Sequence, residues 1–524
     1  MSLRQLRLSG VGTICCLLAI FSVAVKPVTD PDFWWHLATG QYMASNHAIP
    51  HHDLFSLTAQ SHAWITHEWV TELLFYAGWV VGGAGLLMLA SAGVITLTFG
   101  IVYLAARERG APAILSAVIV ALAAFASAPT WGTRPQMLSL LLTALFGLGI
   151  TRMVVREQAA PPWWMPAAMI LWVNLHGGFI FGLAAMGLAT AALILQEWVA
   201  LFVARSRRPP LPSRSDPTDL SDRTPYPAST PANLVPSVDT VRCVAVVGLT
   251  ALATLVNPNG LSGALYPLSY LGNNASTRYI AEWVSPDFHQ AQYLLFEALV
   301  LVLLIAALAS PRRARLVDAV IVLPFLYLAF ESVRNIGLFA VLAAPIAAEL
   351  VSWTLPALTT SKPTRPQVRG KTILNWLAIL AIAAVSTSTW IGKLSDSSQA
   401  HAVAAMYPVG ALHYIESHSV PARGFDSYNW GGFLIWNWYP NRFVFVDGRP
   451  DMYGDSFMDR YVQAYDGASS WRTLFATNRL CYALVEPNSG IAGVLRTAPG
   501  WSQVYHDNVS ALFVLADHPY PCSR

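Results

Sequence analysis

Asp30 and Asp32 head the run Asp30-Pro31-Asp32-Phe33-Trp34-Trp35-His36, and here the chain could do proton chemistry. Asp30 suits a helix N-cap and Pro31 the first helical position, so a helix is predicted to start at this point. Asp32 and His36 then lie four residues apart on one face. A carboxylate so placed can act as a general base or a metal ligand, with the imidazole supporting it. Asp30 and Asp32 are close to interchangeable in that role. The plainer alternative is a capped interfacial helix whose Trp34 and Trp35 sit at headgroup depth, where they could also meet substrate. A second acidic pair follows in His67-Glu68-Trp69 and Glu72. Glu68 and Glu72 are again four apart, which disfavours two like charges unless they are solvated, paired or metal-bound. Glu68 joins the catalytic candidates and His67 the substrate-binding ones; an amphipathic juxtamembrane helix is the alternative.

These groups share one segment, roughly residues 27–68, which holds six of the chain's 13 histidines. That number suggests zinc, but the spacing does not. His47, His51 and His52 straddle Pro50, and there is no HExxH or paired-cysteine pattern. No metal ligands are assigned and no cofactor is required, although carboxylates at an outer rim could hold a divalent ion.

The elements that must position this segment are hydrophobic. The chain has 524 residues, 55% hydrophobic and 12% charged, with a mean hydropathy of +0.46. This excludes an ordinary soluble protein and predicts a mainly α, polytopic membrane protein. Runs of about the length of a membrane span lie near 9–26, 84–106, 112–129, 136–154, 163–176, 178–203, 241–257, 292–309, 316–331, 335–355 and 372–391. The run at 163–176 is short enough to be re-entrant. With this odd count, the basic clusters at Arg4/Arg7, Arg107/Arg109, Arg152/Arg156, Arg205–Arg208, Arg312–Arg315 and Lys362–Lys371 all fall on one side. The N-terminus is therefore expected in the cytoplasm, with segment 27–68 and the C-terminal tail outside. The net charge of +3 is then a positive-inside signature rather than a nucleic-acid patch. The first span lacks a small-x-small cleavage pattern before Lys26 and is read as a retained anchor. Cys481 and Cys522 fall in the outer tail and could pair.

Residues 1–394 form the expected membrane part, interrupted by a Pro/Ser/Asp-rich cytoplasmic linker at 205–240 and a shorter basic one at 356–371. Residues 395–524 read as a small extracytoplasmic α/β domain. There MYPVGALHYIESH is predicted helical, DRYVQAYDGASSWRTLFATN helix–turn–helix, and FLIWNW, RFVFVDG, YALVEP and ALFVLA strands. At the outer ends of the spans lie Arg134 in WGTRPQ, Asn174 and His176 in LWVNLHGG, Arg278 in the loop 258–291, and Arg334 and Asn335 in SVRNIGLF. Charges at a membrane rim are costly and tend to mark function. Arg134, Arg278 and Arg334 together could clamp a phosphate or pyrophosphate; each alone could equally snorkel or pair helices. In the tail, Tyr428-Asn429-Trp430, Asp447 and Arg449 read either as a strand–turn–strand or as an acceptor-binding surface.

The segments DPDFWWHLATGQ, HEW, WVNLHGG, SVRNIGLF and YNWGGFLIW…VDGRPDMYG resemble those of bacterial GT-C-type membrane glycosyltransferases over nearly the whole chain. The run SYNWGGFLIW is also loosely similar to the Trp-Trp-Asp-Tyr-Gly region of oligosaccharyltransferase catalytic subunits, although Asn429 and Gly431 stand at or near the places of its Asp and Tyr. The chain departs from protein mannosyltransferases in lacking their Asp-Glu pair. The resemblance implies a catalytic acid in the first outer loop, which falls on Asp30 or Asp32. It also implies a sugar donor on a polyprenyl-phosphate carrier and a glycan, lipid or protein acceptor of the cell envelope. Two other readings are a transporter, which should show ionisable residues at mid-membrane, and a non-catalytic scaffold for envelope assembly.

Overall fold

The computed structural model describes residues 8–60, 62–155, 161–206, 239–270, 275–355 and 369–516. Most of the linker at 205–240, most of the basic stretch at 356–371, and Cys522 lie outside these residues.

The membrane part is a helical bundle. Its helices are α1 Leu8–Ala24, α2 Pro31–Asn46, α3 Trp69–Glu108, α4 Ala113–Ser127, α5 Gln136–Val155, α6 Met165–Leu175 and α7 Phe179–Ser206. They continue with α8 Thr240–Ala253, the short α9 Gly260–Leu265 and α10 Ala275–Tyr279, then α11 Leu294–Ala309, α12 Leu316–Glu331, α13 Ile336–Thr354 and α14 Arg369–Ile391. Among the described residues seven helices are long and apolar enough to cross a membrane. Each of the eleven expected runs falls on a helix, and the chain is a multi-pass membrane protein. With 11 residues, α6 is about 17 Å long, short of a hydrocarbon core of about 30 Å. By contrast, α3 is longer than one span and breaks at Gly82 and Gly83, where φ turns to +60°. The expected run at 84–106 begins just past that break, and Trp69–Val81 forms a separate stretch leading back to the outer loop. At the centre stands α13, whose residues from Ile336 to Leu350 are all buried. A helix apolar on every side belongs in the middle of a bundle, and α13 packs against α3, α4, α5, α11 and α12.

In the tail follow α15 Asp396–Ala404, α16 Val409–Ser417, α17 Gly431–Trp438, α18 Pro450–Tyr453, α19 Asp455–Tyr465, α20 Trp471–Asn478 and α21 Gly490–Leu495. Its sheet has the order β1-β2-β4-β3, with β1 Gly424–Asp426 parallel to β2 Tyr482–Val485. β4 Ala511–Leu515 runs antiparallel to β2 and to β3 Trp501–His506. Two strand expectations are corrected. FLIWNW folds as α17: a run apolar at every position but Asn437 carries no strand period, and it is buried on more than one side, packing on α2. RFVFVDG does not join the sheet. It pairs instead with the segment 27–68, where Leu57 N–H donates to the Val444 carbonyl at 2.8 Å and Val444 N–H to that of Phe55 at 3.1 Å.

The tail thus grips the segment 27–68. Gln399 holds Val28 through two amide hydrogen bonds of 3.0 and 2.8 Å. The Tyr407 hydroxyl donates to the Thr29 carbonyl at 2.7 Å. At Gly432 the backbone of α17 comes so close to the Pro31 carbonyl that a Cβ would overlap it. Trp34 packs edge-on against Trp79, Tyr407 and Phe433 in this seam.

Candidate active site

Helix α2 starts where the capping residues place it. Asp30 Oδ1 accepts the Asp32 N–H at 3.0 Å, and Pro31 occupies the first turn. This use of Asp30 separates the two acids. Its other oxygen, Oδ2, is 2.5 Å from Arg134 Nε, and its side chain is only 14% exposed. Asp32, two residues on, keeps 38% of its side chain exposed, with Arg134 Nη2 at 3.9 Å. It faces a cavity of about 90 Å³ lined also by Trp35, His67, Glu68, Arg134, Glu282, Arg334 and the turn Gly448–Asp451. Burial, reinforced by the charge of Asp30, pushes the Asp32 carboxyl up to about 7, while Arg134 and a 3.2 Å hydrogen bond from Trp35 Nε1 pull the other way.

Glu68 is the hub of a second group. It lies 3.3 Å from His36 Nε2 and 3.4 Å from both His67 Nε2 and His176 Nε2. Burial works to raise its carboxyl, yet the neighbouring imidazoles, His67 foremost, hold it well below the usual range. His67 donates from both nitrogens, to Glu68 and, from Nδ1, to the Ile65 carbonyl at 3.1 Å. That is the pattern of an imidazolium. Its pKa is accordingly raised, Glu68 outweighing the loss of solvent. His176 differs. Its Nδ1 accepts the Gly178 N–H at 2.8 Å and faces Ser139 Oγ at 2.8 Å, while Trp172 Nε1 donates to that hydroxyl. The ring is therefore neutral with its proton on Nε2, toward Glu68. Burial lowers His36 to about 4 despite Glu68. A neutral His36 donates through one nitrogen and accepts through the other. With Glu72 at 3.1 Å from Nδ1, it needs one of its two acid partners to carry a proton.

A second, more apolar cavity of about 130 Å³ runs between the helices. It is lined by Leu140, Ile180, Phe181 and Leu338 among others, and it shares His67, Gln136, Tyr266, Tyr270, Trp283 and Arg334 with the first. Arg334 stands in this common wall over the Trp283 ring at 5.2 Å, its Nη2 3.3 Å from His176 Nε2.

The structure brings Asp32, Trp35, His36, His67, Glu68, Arg134, Arg334 and Arg449 to the first cavity, and His176 and Asn335 to the second. Arg278 is not among them. It pairs with Asp459 of the tail at 3.1 Å, so the expected three-arginine clamp is not assembled. Asn174 is used internally, accepting from Trp69 Nε1 at 2.7 Å and donating to the Ile170 and Val256 carbonyls. Trp430 is buried, its Nε1 bonded to the Met406 carbonyl. Neither Tyr428 nor exposed Asn429 lines either of the two cavities. Asp447 supports Arg449, whose Nη2 bridges Asp447 and Asp53 at 2.6 and 2.8 Å, with its guanidinium 4.5 Å above Trp64. Sequence reasoning missed Tyr266, Tyr270, Trp283, Gln136 and Asp451 as lining residues, and Glu282 as the partner of Arg134. The tyrosine pair in YPLSY, four apart, was the available signal; the Tyr266 hydroxyl meets that of Tyr270 at 2.6 Å and Asp451 at 2.9 Å.

No family profile and no curated protein sequence matches the chain. Solved structures do. The archaeal oligosaccharyltransferase AglB of Archaeoglobus fulgidus, determined with an inhibitory peptide and a dolichol-phosphate, is similar with a TM-score of 0.50 at 10% identity, over 97% of this chain and 74% of that one. The oligosaccharyltransferase of the same organism in its apo form gives 0.51 at 12% identity, over 90% and 69%. The fold is that of the GT-C glycosyltransferases. ArnT from Cupriavidus metallidurans, bound to undecaprenyl phosphate, aligns over 96% of this chain and 97% of its own with a TM-score of 0.48 at 13% identity.

Proposed function

We propose that the chain is a membrane glycosyltransferase that moves a sugar from a polyprenyl-phosphate-linked donor to a glycan, lipid or protein acceptor of the envelope, at the outer face of the cytoplasmic membrane. One observation carries this reading: an acid poised near neutrality, Asp32, faces a polar cavity that shares a cationic wall with an apolar one. The dolichol-phosphate held by AglB, a protein of the same fold, supports a lipid-phosphate donor. The apolar cavity suits the carrier chain next to its phosphate. Arg334, with the imidazolium of His67, suits the phosphate itself, and the Asp32 side suits the acceptor.

In the transfer, the acceptor hydroxyl gives its proton to Asp32 while its oxygen bonds to the anomeric carbon. The bond from that carbon to the phosphate oxygen breaks, and the electron pair leaves with the phosphate. Arg334 and His67 face the charge that develops there. Among the described residues no three or more His, Cys, Asp or Glu side chains are grouped to hold a metal ion. Arg134 engages Asp30 and Glu282, and imidazoles engage Glu68; the steps above use only this chain's own side chains. The transport alternative has less support. The buried charges Arg109, Asp318 and Glu349, with Arg315, close on one another at the helix ends opposite the cavities, at 2.7 to 2.9 Å.

The test is Asp32→Asn, followed by mass spectrometry of envelope glycans. Loss of a glycan, with turnover down by roughly 10²–10⁴-fold at unchanged protein abundance, is expected. An unaltered glycan profile rules the assignment out.

A further inference from the structure

Arg449 lines the Asp32 cavity with only 3% of its surface exposed. Its guanidinium is wrapped by the rings of Trp64, Phe55 and Trp35, at 4.5, 5.2 and 5.8 Å. Nε donates to Asp447 at 2.7 Å, and Nη2 to Asp447 and Asp53 at 2.6 and 2.8 Å. Nη1 is buried and has no hydrogen-bond partner among the described residues. A buried donor left unmet is costly. The turn that carries it also lies against the proposed base: Gly448 closes on Asp32 Oδ1, and Trp35, under the guanidinium, donates to that same oxygen at 3.2 Å.

We propose that the acceptor is an uncharged sugar, whose reacting hydroxyl lies at Asp32 while a neighbouring hydroxyl accepts from Arg449 Nη1. This rests on the glycosyl-transfer reading above and narrows its acceptor. A hydroxyl both donates and accepts, and a sugar ring carries hydroxyls on adjacent carbons. One can give its proton to Asp32 while the next meets Nη1. A lipid alcohol or a serine brings a single hydroxyl. Arg449 acts here as a donor and not as a charge, because Asp447 and Asp53 already outnumber it. Arg134 is likewise outnumbered by Asp30 and Glu282, and Asp451 adds a further acid to the lining. His67 on the opposite wall is balanced by Glu68, so even with Arg334 counted the acids exceed the cations. The donor's phosphate adds to that excess. An acceptor bearing a carboxylate or a phosphate would enter against like charge.

The experiment uses the full-length protein in nanodiscs loaded with a polyprenyl phosphate, whose binding is confirmed by native mass spectrometry. The probes are short-chain alkyl hexosides of gluco, manno and galacto configuration, the matching hexuronides, their monodeoxy analogues, and a threonine-containing peptide. Affinities are read by saturation-transfer NMR. At least one hexoside is expected to bind roughly tenfold more tightly than its hexuronide. Removing either of two adjacent hydroxyls from it should weaken binding by roughly tenfold or more. Arg449→Lys keeps the charge between Asp447 and Asp53 but lacks Nη1. It should bind the intact hexoside roughly ten- to a hundredfold less well, and one of those two hydroxyls should then cease to matter. Equal or tighter hexuronide binding overturns the inference, as does a peptide that outbinds every hexoside, or no hexoside bound at all. Where Arg449→Lys does not fold, the wild-type deoxy series still decides, since affinity that depends on no adjacent pair of hydroxyls overturns it. Each of these results leaves the lipid-phosphate donor standing. A wild-type protein that takes up no polyprenyl phosphate would instead sink the donor reading itself.

Discussion

Asp32 keeps its proton up to about neutral pH because its recess withholds water and Asp30 lies two residues away. A base must be deprotonated to act, so turnover should climb with pH through about 7 and level off above it. The neighbour gives a way to move that limb. Asn caps a helix about as well as Asp, so Asp30→Asn should leave α2 in place while removing one negative charge beside Asp32. The midpoint of the pH–rate curve should then fall. An unmoved or higher midpoint, recorded with purified protein and a fixed donor, would show that Asp32 is not the titrating group. That Asp30 and Asp32 head a capped helix was legible from cap, proline and spacing. Which of the two was free was not, because the answer lies with Arg134, a hundred residues away in sequence, whose guanidinium takes up Asp30.

At the scale of elements, α2 is held between α3 and α17, and the turn at Asp447–Arg449 closes on its first residues. A Cβ on Gly448 would overlap Asp32 Oδ1. Gly448→Ala is therefore expected to cost about 1–3 kcal/mol of stability and, by shifting the carboxylate, to lower turnover on the order of 10²-fold, with carrier binding retained. Calorimetry beside a kinetic assay checks both; wild-type turnover would mean the close approach has no bearing on Asp32. Arg449→Ala is the harsher change, because it strands the buried carboxylates of Asp447 and Asp53, at about 3–5 kcal/mol. Thermal unfolding in detergent measures it, and a drop below 1 kcal/mol would show the pair to be solvated. The sequence made the long apolar helices readable, since their length alone identifies them. It did not make α17 readable, because the helix is defined by what it packs on rather than by a period. The pairing of 443–447 with the outer loop was likewise hidden, since it joins segments nearly 400 residues apart.

For the whole molecule, Arg109, Arg152 and Arg315 stand at the helix ends opposite the cavities, the side that the positive-inside rule would place in the cytoplasm. In a cysteine-free background, Asn508→Cys should react with an impermeant maleimide added to intact cells, and Arg313→Cys only after the membrane is opened. The reverse pattern would invert the proposed orientation. The contact between Gly448 and Asp32 has a further consequence, in time rather than in space. A ribosome delivers Asp32 hundreds of residues before Gly448, and at roughly 5–20 residues per second that is a gap of tens of seconds. Throughout it, the acid sits in a membrane bundle whose far wall has not yet been made. Only when the last quarter of the polypeptide has folded back onto α2 do Gly448, Arg449 and Asp451 complete the cavity, so a nascent or prematurely terminated chain would carry Asp32 without the chamber that encloses it.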